Sequence, residues 1–225
     1  MFEASRKRLA LPDAIPVFPL PGALLLPRGQ LPLNIFEPRY LNMVDDALKS
    51  DRLIGMVQSR SVAASGERGP FDLYRVGCVG RIASFSETED GRYLITLLGL
   101  SRFDIIEEIE AETPYRRMQV DWRRYSEIDA NEPGPAVIAR DRLVDRLRDY
   151  LELAGLSADW ESIEKAGQET LVNSLAMICP FTPDEKQALL EARSLEERAA
   201  ALTALMEMAV AEDGDDADDR RAMRH

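Results

Sequence analysis

FPLPGALLLPRGQLPLNIFEPRYLNMVDDAL, residues 18–48, is the stretch from which the fold is read. Two apolar runs, IPVFPL and ALLLP, are broken by Pro19, Pro21, Gly22 and Pro27. Proline cannot donate to a β-ladder, so this density suits edge strands and turns and not the middle of a sheet. Beyond Phe36-Glu37 the pattern changes. Pro38 suits a first helical position, and Tyr40, Val44 and Leu48 follow at four-residue steps, which predicts one helix ending by Asp51.

Downstream the period returns to that of strands. RLIGMVQ (52–58) reads as a buried strand, followed by a polar loop, SVAASGERGP (61–70). GCVGRIASFSE and RYLITLLGL flank Thr88-Glu89-Asp90-Gly91, where Asp-Gly supplies the positive φ of a tight hairpin turn. RFDIIEEIE continues as a strand, and Met118, Val120 and Trp122 alternate with polar positions in a half-buried one. Several short strands around one helix indicate a small barrel or two packed sheets.

After EIDANEPGPA (127–136), a linker, the spacing becomes helical. Val137, Leu143, Val144, Leu147, Tyr150 and Leu151 form one stripe, and Leu171 to Cys179, with Leu175 and Ile178, a second helix stopped by Pro180. Thr182-Pro183-Asp184-Glu185 and Ser194-Leu195-Glu196-Glu197 both carry the capping-box signature, in which hydroxyl and carboxylate satisfy the N–H groups a new helix leaves unpaired. Leu195, Ala199, Leu202, Leu205 and Met206 follow as the buried face of the last helix. The expected organisation is a flexible segment 1–13, a β-rich lobe 14–126, a helical lobe 137–210 and a disordered acidic tail 211–225.

Charge divides along the same line. Residues 1–125 hold 17 basic and 17 acidic side chains, whereas 126–225 hold 11 and 23 and carry the whole net charge of −12. Nucleic acid is disfavoured as a partner, because phosphate neutralisation needs a basic face; only Arg116, Arg117, Arg123 and Arg124 offer a local basic strip. The N-terminal residues include a basic cluster without an apolar h-region, and no run approaches a membrane span of about 18 residues. A cytoplasmic location is expected.

The chemistry-bearing residues are few. His225 is the only histidine, so a Ser-His-Asp or Cys-His arrangement and a zinc site needing His ligands are ruled out. Cys78 and Cys179 stand alone in apolar surroundings and read as buried thiols. None of the four lysines directly follows a glycine, so there is no phosphate loop, and no G-x-G-x-x-G occurs. Acidic residues are many, but no spacing singles out an acid and a base. No catalytic residue, metal site or cofactor is expected.

The density of proline, large apolar groups and the Phe36-Glu37-Pro38-Arg39-Tyr40 box in residues 18–48 exceeds what a strand–turn–strand needs. In these residues the sequence resembles the N-terminal, substrate-binding domain of the Lon protease family, known also as small free-standing bacterial proteins. Gly77-Cys78-Val79-Gly80-Arg81-Ile82, Gly99-Leu100-Ser101-Arg102-Phe103, Leu171-Val172-Asn173 through Pro180-Phe181, and Glu185 to Glu191 extend the likeness over about residues 14–208. The resemblance implies an α+β fold, a β-rich PUA-like pseudo-barrel followed by a C-terminal helical bundle. It also implies a non-catalytic module that recognises unfolded polypeptides or exposed apolar segments. The chain stops before the family's ATPase and Ser–Lys peptidase modules would begin, so neither activity is expected.

Leu20, Leu26 and Leu33 on the proline-rich edge, with Phe36 and Arg39, are the candidate peptide-binding residues. An edge strand also leaves backbone groups free to pair with an extended peptide. Structural roles compete: the leucines could fill the barrel, Arg39 and Glu37 could form an ion pair at the helix start, and Arg102 could be a structural hydrogen-bonding residue. Two alternatives to peptide binding are an RNA-binding PUA-like module and a regulatory subunit that docks through its acidic helical lobe.

Overall fold

A computed structural model describes residues 11–60, 73–125, 129 and 138–222, with side chains as far as 212. Six strands come first in the chain: β1 (Ala14–Pro19), β2 (Gln30–Ile35), β3 (Leu53–Ser59), β4 (Leu73–Glu87), β5 (Tyr93–Ile109) and β6 (Arg117–Asp121). Helix α1 (Pro38–Leu48) lies between β2 and β3. The C-terminal helices are α2 (Arg140–Leu153), α3 (Trp160–Lys165), α4 (Gln168–Ile178), α5 (Pro183–Glu191) and α6 (Leu195–Ala222). The α+β class expected from the sequence is the one observed.

The strand order is β2-β5-β4-β3-β1-β6, and β6 pairs back onto β5. Strands β5, β4, β3, β1 and β6 therefore close into a five-stranded barrel, and β2 lies outside it on the first half of β5. β5 is long enough to serve both: Tyr93–Leu98 pairs with β2, and Asp104–Ile109 with β6. The β4–β5 hairpin turns as expected, with Gly91 at φ 78°.

β1 departs from the expectation that its prolines exclude it from the interior of a sheet. Its first half, Ala14–Pro16, pairs with β6, and its second half, Val17–Pro19, pairs with β3. Each half is an edge on one side, so Pro16 and Pro19 are tolerated inside a closed barrel. ALLLP (23–27) is not a strand. It is irregular chain whose Leu24, Leu25 and Leu26 are fully buried.

Two apolar clusters follow from the alternation of strand side chains. Inside the barrel, Phe103 sits with Ile15, Val17, Val57, Val79 and Val120. A Cβ on Gly77 would lie 2.5 Å from the Phe103 ring, so glycine there is what lets the ring fill the barrel. Outside it, Ile54, Met56, Val76 and Cys78 face the second cluster, which takes in Tyr40 and Val44 of α1 and Leu147, Leu171, Leu190 and Met206 of the helices. β3 is covered on both faces, which is why it reads as a continuous apolar run.

A buried polar joint fastens helices to barrel. Arg102 of β5 pairs with Asp129 (Nη2–Oδ1 2.9 Å) and donates to the carbonyls of Leu190 (2.9 Å) and Ala192 (2.6 Å). Arg198 of α6 donates to Leu189 O and Asn173 Oδ1, and Lys186 of α5 to the carbonyls of Gly22 and Met177. The structural role considered for Arg102 is thus the one it has; Asp129, Arg198 and Lys186 carried no sequence signal.

The helices follow the predicted stripes with three differences. α3, capped by Asp159 accepting from the Ser162 N–H, was not anticipated. Ile178, expected within the second helix of the stripe, is 78% exposed. α6 runs through the acidic stretch to Ala222, where disorder from 211 was expected. Thr182 and Glu185 form the complete capping box. At Ser194 only half of one forms: its hydroxyl accepts from Glu197 N–H, while the Glu197 carboxylate reaches the N–H of Arg193. Val137 and the 61–70 loop lie outside the described residues. No described helix is long and apolar enough to cross a membrane.

Candidate functional site

The five residues proposed from sequence separate by depth. Leu26 is 0% exposed, and its carbonyl passes so close to β5 that a Cβ on Gly99 would lie 2.0 Å from it. It belongs to the core and is not available to a ligand. Leu33 is half-buried on the inner face of β2, opposite Ile95; Leu20 is half-buried, with its N–H on the Val57 carbonyl (3.1 Å). Phe36 is 64% exposed. Arg39 is exposed as well, lies 4.5 Å over the Tyr40 ring and pairs with Glu37 (2.8 Å). The ion pair weighed for Glu37 and Arg39 is present, although the Glu37 side chain does not cap α1.

Phe36 has neighbours that sequence reasoning passed over. Ile35 is opposite Tyr93, which is opposite Glu87; Asn34 is opposite Leu94, which is opposite Ser86. The far end of the β2-β5-β4 ribbon therefore gathers Phe36, Tyr93, Leu94 and Phe85. Phe85, Leu94 and Phe36 are all exposed, and Phe85 meets Tyr93 edge-on at 5.0 Å. Tyr93 and Phe85 share one face of the ribbon and Leu94 the other, so the end is apolar on both sides. The signal lay in RYLITLLGL: Leu94 is out of phase with the buried Ile95 and Leu97, and a strand buried on one face only must leave it exposed. Burial and a hydrogen bond to Asp45 of α1 hold the Tyr93 hydroxyl above its ordinary pKa.

A groove of about 940 Å³ lies elsewhere on the barrel, between the start of β4 and the β5–β6 connection. Tyr74, Arg75, Ile106, Glu110 and Arg116 line it. Its charges are of both signs, and Arg116 is paired with Glu108 (2.7 Å). Arg123 and Arg124 are likewise paired, with Asp121 and Asp104, so three of the four arginines of the basic strip meet carboxylates.

The thiols are held neutral. Burial raises the pKa of both, that of Cys179 to about 11 against a small lowering by Lys186. Burial pushes the Lys186 ammonium down. Among the described residues no group of three His, Cys, Asp or Glu side chains could hold a metal ion. What the arrangement offers is an apolar, partly aromatic ribbon end with a paired charge beside it, suited to contact.

The family model described as ATP-dependent protease La (LON) substrate-binding domain matches residues 14–208. Lon protease 2 of Myxococcus xanthus is 29% identical over 193 residues, 84% of this chain and 23% of that protein. The Lon protease of Syntrophus aciditrophicus is 28% identical over 89% of this chain and 26% of its own length. The chain thus spans about a quarter of the curated relatives it matches. Among solved structures, a Lon N-terminal domain protein from Xanthomonas campestris superposes with TM-score 0.57 at 19% identity, covering 85% of this chain and 97% of that one. The N-terminal domain of the Mycobacterium avium complex Lon protease gives 0.58 at 16%, over 86% and 98%.

Proposed function

The chain belongs to the Lon substrate-binding domain family, and from that premise we propose that it is a polypeptide-binding module which captures unfolded segments on the apolar end of the β2-β5-β4 ribbon. The observation that carries this reading is the grouping at one end of the ribbon of Phe85 of β4, Leu94 of β5 and Phe36, which directly follows β2, all exposed. Clustered exposed apolar side chains on a folded domain mark an interaction surface, because leaving them in water costs free energy that contact recovers. Aromatic anchors contribute most at such surfaces. The Glu37–Arg39 pair beside Phe36 supplies a polar rim. Leu33, half-buried opposite Ile95, serves as the floor under this surface, whereas Leu20 lies at the Val57 end of β3, away from it.

Fluorescence anisotropy with labelled, reduced and carboxymethylated α-lactalbumin tests the proposal. Saturable binding is expected, with no binding of the native protein. Phe36→Ser combined with Phe85→Ser should weaken it by about tenfold, the loss of one anchor's worth of contact, at an unchanged melting temperature. Failure of the wild-type protein to bind the unfolded probe would sink the proposal.

A further inference from the structure

Among the described strands, β2 is paired on one side only. Its outer edge has a definite hydrogen-bonding pattern. Arg28 N–H donates to Gly99 O (2.8 Å) and Gly99 N–H to Gly29 O (2.9 Å), two residues opposite one, with Arg28 at φ 65°. This is a bulge, and the ladder resumes two residues on, so Leu31, Leu33 and Ile35 exchange bonds with Leu97, Ile95 and Tyr93. The backbone groups of Gln30, Pro32 and Asn34 then point away from β5. Pro32 has no N–H to give the ladder and sits where none is needed. The side chains of these three residues are exposed.

The surroundings specify what would fit there. From Gly29 to Phe36 no side chain is ionisable, in a protein of which 30% of residues are charged and the net charge is −12. The charges at either end are paired, Arg28 with Glu169 (2.5 Å) and Arg39 with Glu37. At the beginning of β2 a recess of about 300 Å³ is lined by Arg28, Gln30, Met177 and Ile178, the last standing 78% exposed. Phe36 stands at the other end. The edge is thus an uncharged strip of six residues, about 20 Å long, with an exposed apolar side chain beyond each end.

Building on the proposed function, we infer that β2 binds its polypeptide by strand addition: an uncharged extended segment, apolar at its ends, hydrogen-bonds to Gln30 and Asn34 and to the Pro32 carbonyl. A second copy of this chain fits poorly. Pairing two β2 edges about a two-fold axis at Pro32 would align both prolines and lose the central bonds. A substrate strand needs only to leave one carbonyl to water opposite Pro32. Recognition by main-chain bonds is indifferent to side-chain identity, which suits a module that meets many sequences.

The probe is a fluorescein-labelled ten-residue peptide of alternating valine and threonine, flanked by lysines and added to the full chain. One version carries N-methyl groups on every second residue, which leaves one edge of the strand free, and another on every residue. Strand addition predicts that the first stays within about twofold, bound through its free edge, while the second weakens more than tenfold, since two or three net bonds are lost. Asn34→Pro should weaken the unmethylated peptide about three- to tenfold, and Asn34→Ala should leave it unchanged. Equal binding of the two methylated versions, or an effect of Asn34→Ala equal to that of Asn34→Pro, overturns strand addition. If unfolded α-lactalbumin binds but the peptide does not, strand addition fails and the wider reading stands; if neither binds, both fail.

Discussion

Replacing Asp129 by alanine should weaken the buried polar joint between the C-terminal helices and the barrel. Arg102 is 1% exposed, and Asp129 is its one anionic hydrogen-bond partner among the described residues. The carboxylate accepts from Nε and Nη2 and, through Oδ2, from the Arg102 backbone N–H at 2.7 Å. Without it a buried guanidinium keeps only the two carbonyls of Leu190 and Ala192 and the Tyr125 ring 4.2 Å from Cζ. Stranding one member of a buried ion pair costs about 3–5 kcal/mol, and an unpaired backbone N–H about 1–3 more. The expected loss is therefore about 4–8 kcal/mol. Asp129→Asn, which keeps one acceptor, should lose less.

Urea unfolding followed by tryptophan fluorescence reads this directly, because the two tryptophans divide between the parts. Trp122 packs on Phe103 in the barrel, and Trp160 lies on α3 under Arg148. In Trp122→Phe and Trp160→Phe backgrounds each half reports alone. The Asp129→Ala transition should move to lower urea at both probes, with the Trp160 transition leading. Loss of under 1 kcal/mol in either background would refute the reasoning, since a buried charge cannot lose its counter-ion at so small a cost.

Two further outcomes are expected. Gly99→Ala should cost about 3 kcal/mol or more in the same assay, because its Cβ would meet the Leu26 carbonyl at 2.0 Å, whereas Gly91→Ala, at φ 78° with open space around it, should cost only about 1–2 kcal/mol of backbone strain. The Cys179 thiol, raised to about 11, is protonated in the fold when an unfolded thiol, near 8.5, is already ionising. Its contribution is complete below pH 8.5 and lost as pH rises towards 11, so wild type should lose about 1–2 kcal/mol more than Cys179→Ala between pH 8 and 10, measured by urea midpoints at each pH.

Local structure was legible wherever its cause is local. Thr182 and Glu185 lie three residues apart, and that spacing alone lets them close a capping box; Asp90-Gly91 makes its turn from its own backbone preference. The period of two in β5 and β6 and the helical stripe of α2 depend only on which face is covered. Ser194 shows the limit: the same motif half-formed because the N–H of Arg193 competed for the Glu197 carboxylate. The missed helix α3 is six residues long, too short for a period to establish itself.

By itself, then, the sequence determined most of the elements, their order, the α+β class and the family, since each rests on spacing or on ordered blocks along the chain. Depth was decided by tertiary structure. Leu26 and Phe36 stand ten residues apart in one leucine- and proline-rich stretch, yet one is sealed under Gly99 and the other is exposed at the ribbon's end. Arg102 and Asp129 are 27 residues apart with no periodic relation, and only the closing of the barrel and the return of α5 bring carboxylate, guanidinium and carbonyls together. Exposure and ion pairing depend on what distant segments cover, and a linear pattern records only what neighbours along the chain require.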